Sequence, residues 1–225
     1  MEAEVTALAV EETAADRIRA IGARNVSHMR VLEKRISTAN FMPQPGGIST
    51  DVTGTGHFEH LQAYSVALAA AADIKLENLP SRAQEVIVTA KDEEEQAVAK
   101  NEQTTDNTVN EYKVYVESGG KSGVSQSTAA DRLRKTGQDN IKRFADSENA
   151  RVENLITAIA DEPEAVQNLV ATAYEGVSGF FLHIWDQVSL FFNNLVKSIA
   201  DFFNKVGKWF ADLGRTIANW WSSLW

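Results

Sequence analysis

Residues 179–225 read GFFLHIWDQVSLFFNNLVKSIADFFNKVGKWFADLGRTIANWWSSLW, and the spacing of their apolar side chains decides the fold. In steps of eleven, Phe180, Phe191, Phe202, Leu213 and Leu224 share one column, and Phe181, Phe192, Phe203, Gly214 and Trp225 the next. Ile184, Leu195, Val206 and Ile217 form a third, and Val188, Ile199, Phe210 and Trp221 a fourth. A fifth column turns aromatic late, from Gln187 and Ser198 to Trp209 and Trp220. At roughly 100° per residue these columns fall within an arc of about 120°, with the charged columns opposite. Eleven residues span close to three turns, so the stripe stays nearly straight along a helix.

The pattern predicts one continuous amphipathic helix from Gly179 to Trp225, about 70 Å long at its rise per residue. That is more than twice the hydrocarbon thickness of a bilayer, and every repeat carries charge, so a single straight crossing is excluded. Burying one large apolar side chain contributes ~1.5–3 kcal/mol. About twenty of them left wet would be untenable for a soluble monomer. The face, which also takes in Trp185, therefore needs a membrane interface, copies of itself, or the rest of the chain. Tryptophan and phenylalanine suit a membrane interface. The polar face is nearly neutral, which argues against strong attraction to anionic lipid. Self-association needs no charge bias, and an eleven-residue repeat suits a straight or slightly right-handed coil.

The segment FFNNLVKSIADFFNKVGKWFADLGRTIANWWSSLW, residues 191–225, resembles the aromatic amphipathic repeats of phage tail tape-measure proteins. Similar stretches occur in some large secreted effectors of Gram-positive bacteria. The resemblance covers this tail alone, and implies a structural role in a virion or secretion setting.

Outward from the tail the composition changes. Of 31 acidic and 22 basic residues, 27 and 18 lie in 1–174, which carries the whole net charge of -9, while 175–225 is neutral. The same tail holds all five tryptophans and seven of ten phenylalanines. The acidic balance disfavours nucleic acid as a partner, because phosphate affinity needs concentrated Lys and Arg. The absence of cysteine excludes disulfides, thiolate zinc sites and thiol catalysis.

The body reads as helices. Thr13 to Thr38 carries Ile18, Ile21, Val26, Met29, Val31, Leu32 and Ile36 at helical spacing. Residues 39–57, rich in proline and glycine, predict an extended connector, and a second helix runs from His57 to about Leu76. Pro80 suits a helix start. Ser81 to Glu117 follows as a long helix with Asn101, Thr105 and Thr108 in its apolar stripe, which packs weakly or against a partner. Gly119, Gly120 and Gly123 mark residues 118–123 as a hinge that lets the tail separate from the body. Thr128 with Asp131 resembles a capping box, and Asp161-Glu162-Pro163 restarts the helix that leads into the tail. The domains are thus 1–117, the hinge, a helical segment 124–174 and the tail 175–225.

Catalytic signatures are weak. His57 and His60 lack further ligands and an oriented outer layer of partners, so we expect no metal and no cofactor. Gly120-Lys121-Ser122 lacks the earlier glycine and the immediate helix of a phosphate-binding loop. The run from Asp92 to Glu95 reads as a solvated face, and His28 and His183 as isolated structural histidines. The acidic N-terminus is not read as a secretory signal. The location is open: membrane-peripheral, virion, or export by a signal-free route.

The sequence therefore predicts an all-α protein of long helices and helical hairpins, without enzymatic activity. Its partner-binding residues are those of the tail stripe, and it binds membrane lipid or forms a pore-like homo-oligomer through them. The alternatives are a soluble oligomeric scaffold and a tail that is simply a core helix.

Overall fold

The computed structural model describes residues 12–38 and 75–225. The expected connector 39–57, nearly all of the helix from His57 onward, both histidines of that segment and the extreme N-terminus lie outside the described residues. Among the described residues the protein is all-α, with five α-helices, two short 3-10 turns and no strand.

Helix α1 spans Ala14–Ser37. Thr13 caps it: the Asp16 amide donates to the Thr13 hydroxyl at 3.1 Å, and the Thr13 amide donates back to the Asp16 carboxylate at 3.3 Å. This reciprocal box satisfies two amides that helix geometry leaves without partners. Ile18, Ile21, Met29, Leu32 and Ile36 point inward, while Val31 faces solvent. After a 3-10 turn at Leu76–Asn78, helix α2 runs over Ser81–Glu117 behind Pro80. Its strand-like YKVYV end stays helical, with Tyr112 buried and Val114 and Val116 outside.

Helix α3, Gln126–Ile159, is capped three residues earlier than expected. Ser125, not Thr128, is the N-cap, and its hydroxyl accepts from the Thr128 amide. The linking turn is a tightly built corner. Gly119, Gly120 and Gly123 all adopt positive φ, which L side chains reach only with strain. A Cβ on Gly123 would stand 2.3 Å from the Glu111 carbonyl oxygen. The Ser118 hydroxyl meanwhile accepts from the amides of Lys121 and Ser122. The turn joins α2 to α3, both in the body, so bending there does not free the tail as the sequence reading expected.

Helix α4, Glu164–Lys197, begins after Pro163 as expected. The expected continuous rod does not form. Ser198 leaves helical geometry at φ -149 and ψ 77, Ile199–Phe202 make a 3-10 turn, and helix α5 occupies Val206–Ser223. No proline or glycine lies between Ser198 and Lys205, so local propensity does not force the break. Folding back instead buries a stripe that a straight helix would carry beyond the bundle, with Ile199 sealed at the elbow.

Packing follows from these faces. Helix α3 contacts α1, α2 and α4, α1 also packs on α4, and α5 lies along α2. Helices α1 and α3 approach closely where Gly22 faces Val152; an added Cβ would fall 2.4 Å from a Val152 methyl. Gly137 likewise admits Ile36 and Phe192.

Candidate functional site

The tail hairpin is the first candidate. Of the twenty stripe residues, fourteen are buried in the chain's own core: Phe180, Phe181, Ile184, Trp185, Val188, Phe191, Phe192, Leu195, Ile199, Val206, Phe210, Leu213, Ile217 and Leu224. Phe202, Phe203, Trp209, Trp220 and Trp221 are partly buried against it, and Trp225 is 46% exposed. In this conformation the stripe has found its partner within one chain. Of the covers that the sequence leaves open, this conformation uses the rest of the chain for these fourteen residues.

Ring stacking holds the two arms. Phe180 stacks on Trp220 with centroids 3.8 Å apart, and Phe191 on Trp209 at 4.0 Å. Each phenylalanine lies as far before Ala200 as its tryptophan lies after it. The eleven-residue step is therefore read out as an antiparallel register between α4 and α5. Aromatic pairs add on the order of 0.5–1.5 kcal/mol beyond burial.

Helix α5 is otherwise lightly held. Val206, Phe210, Leu213 and Ile217 are its buried face. At roughly 100° per residue, Trp209 and Trp220 run along one margin of that face and Trp221 and Trp225 along the other. Its C-terminus is latched to the approach of α2. The Leu76 amide donates to the Leu224 carbonyl at 2.9 Å, and the Lys75 ammonium to the Ser223 carbonyl at 3.0 Å. A cation there also suits the negative end of the helix dipole.

Beneath the hairpin lies a second feature, a buried ionic cluster. Glu94, expected on a solvated acidic face, is 1% exposed. Its carboxylate accepts from Trp185 Nε1 at 2.8 Å and Arg143 Nη2 at 2.9 Å, and pairs with Arg151. Glu148, equally buried, accepts at 2.6 Å from both Tyr174 Oη and Asn25 Nδ2, with Arg151 3.7 Å away. Arg151 also bonds Glu93 at 2.7 Å. All four long helices thus meet in one polar knot, and Trp185 ties the tail to it. Helical phase was the signal for these residues. Glu94 follows Ile87 and Ala90 on the buried face of α2, and Glu148 and Arg151 follow Ile141 and Phe144 on that of α3.

Desolvation pushes the Glu148 carboxyl above its ordinary range, with the negative Glu94 adding to it. Tyr174, Asn25 and Arg151 pull the other way. Burial beside Glu148 likewise pushes the Tyr174 hydroxyl up. Because folded Glu148 holds its proton more tightly than the unfolded chain does, its contribution is full below the ordinary value of 4.5. That contribution is lost as pH rises through the folded value. In Glu148→Gln the slope from this group disappears. Urea unfolding of both proteins between about pH 4 and pH 8 should show the variant gaining on the parent as pH rises, by at most ~1.4 kcal/mol per pH unit. Parallel curves would contradict the assignment.

Further along the bundle, the Trp185–Glu94 and Gly137–Phe192 contacts place Ser189 at the level of Asn101 and Asn140. Here Asn101 Nδ2, Thr105 Oγ1, Ser189 Oγ and Asn193 Oδ1 are buried without partners among the described residues. These four polar groups make the seam between tail and body less apolar than its aromatic content implies. Among the described residues no cluster of three or more metal-ligating side chains occurs. No helix there is long and apolar enough to cross a membrane. Protein-family models, curated proteins and solved structures all gave no match to this chain.

Proposed function

We propose that this is a non-enzymatic helical protein that stores an aromatic hairpin against its own body and presents that hairpin to a lipid interface. The observation that carries the reading is the placement of the three α5 tryptophans, Trp209, Trp220 and Trp221, with Trp225 just beyond the helix. The three border the buried face on both margins, half in and half out, and Trp225 is exposed. Amphipathic rings take that position where an apolar layer meets water. The unpartnered polar atoms in the seam support separation of hairpin from body, and the light docking of α5 names the part that leaves first. The outward face of α5 carries Lys208, Asp212 and Arg215, so binding draws on apolar burial and is insensitive to lipid charge.

Flotation of the full chain with zwitterionic phosphatidylcholine vesicles tests this. The chain should rise with the vesicles, and brominated lipid should quench α5 tryptophans while sparing Trp185, which is fully buried. Trp221→Ser combined with Trp225→Ser should weaken flotation about tenfold or more, since each loss removes ~1.5–3 kcal/mol of burial. A chain that stays at the bottom with unquenched emission rejects the proposal. A second reading, a bundle whose tail serves only as core, is favoured by the complete burial of Trp185, Phe192 and Ile199. It predicts that negative result.

A further inference from the structure

The geometry points to exchange of α5 between two copies of this chain, in an antiparallel dimer whose two-fold axis passes near Ala200. Three observations carry it. First, the stacked pairs Phe180–Trp220 and Phe191–Trp209 are symmetric about Ala200. Two straightened tails laid antiparallel would therefore make both contacts twice, each between chains. Second, the elbow holds nothing that obliges it to bend. Residues 198–205, Ser-Ile-Ala-Asp-Phe-Phe-Asn-Lys, contain no proline or glycine, and no non-glycine residue among those described has positive φ. Third, the apolar spacing continues through it. Leu195, Ile199, Phe202 and Val206 step by four, three and four, which is one face of an unbroken helix.

Closed and exchanged forms thus share their interface and differ at the elbow. Exchange of an identical element is a low-cost route to a dimer under that condition. Straightening also replaces the 3-10 turn with regular helix hydrogen bonds. The bent form keeps its own local tie, a bond from the Ser198 hydroxyl to the Asp201 carboxylate. The occupant of the hairpin face in the dimer is thus the α5 of the second copy. It reuses the ring stacks and the buried face of α5, and only the elbow contacts of Phe202 with Phe191 and of Phe203 with Tyr112 are remade.

The chain lacks cysteine, so Gln187→Cys with Ala218→Cys provides two spin-label sites at exposed positions of α4 and α5. The full chain would be labelled, diluted with excess unlabelled chain so that only intrachain distances are read, and separated by size. The monomer should show a short distance across the hairpin. The dimer should show about 47 Å along one straight helix. Ser198→Ala with Asn204→Ala, which removes the elbow tie and adds better helix formers, should tighten dimerisation roughly tenfold or more. A chain that stays monomeric in both backgrounds at high concentration overturns the inference. So does a dimer that keeps the short distance.

Discussion

Replacing Arg151 with methionine is expected to cost about 3–5 kcal/mol of folding stability, the largest single-site loss in the body. Arg151 is the cation that Glu94 and Glu148 share deep in the bundle; burial works against its charge, and Glu94, Glu93 and Glu148 outweigh that and keep it protonated. Removing it leaves two buried carboxylates. Glu94 retains Arg143 and Trp185, and Glu148 retains only the neutral donors Tyr174 and Asn25. Methionine matches the stem of arginine, so the loss is one of charge rather than of volume. The check is a double-mutant cycle by urea denaturation. Arg151→Met combined with Glu148→Gln should be more stable than Arg151→Met alone, because the second change removes one of the stranded charges. Equal stability of the two would show that Glu148 is already neutral in the fold. A parent-like Arg151→Met would show that the cluster does not hold the bundle.

That cluster marks where the sequence was readable and where it was not. The all-α class, the start of α1 near Thr13, the restart at Pro163 and the polar stripe of α2 followed from periodicity and local chemistry, which act over a few residues. Glu94 was misread because it sits inside an acidic run, and composition spoke louder than phase. Counted from Ile87 in steps of three and four, it belongs to the core face. The elbow at Ser198 had no local signal at all. The stripe continues through it, and only the bundle's finite length makes folding back favourable. The turn at 118–123 was found by its glycines, but which helices it joins is a matter of topology that glycine content does not encode. For the tail, the sequence fixes which side chains must leave water, and tertiary structure chooses the partner that covers them.

Phe210→Ala should produce a loss of similar size with a different spatial signature. Phe210 is fully buried and meets both Phe191 and Trp209 with edge-on geometry. Removing such a ring costs about 3–5 kcal/mol. The rest of α5 rests on few contacts: Val206, Leu213, Ile217, the two ring stacks and the latch at Leu224. Local opening free energies are bounded by the contacts that one element makes, not by those of the whole domain. The loss at Phe210 therefore exhausts the docking of α5 before it reaches the ionic cluster. Native-state hydrogen exchange should show amides of Val206–Ser223 losing protection while those of α3 keep it. Acrylamide should gain access to the α5 tryptophans but not to Trp185. Arg151→Met should instead lower protection in all four long helices together. If Phe210→Ala shifts the global transition and leaves α5 as protected as its neighbours, the hairpin is an integral part of the core. Its release onto lipid, and its exchange between copies, would then require unfolding the bundle.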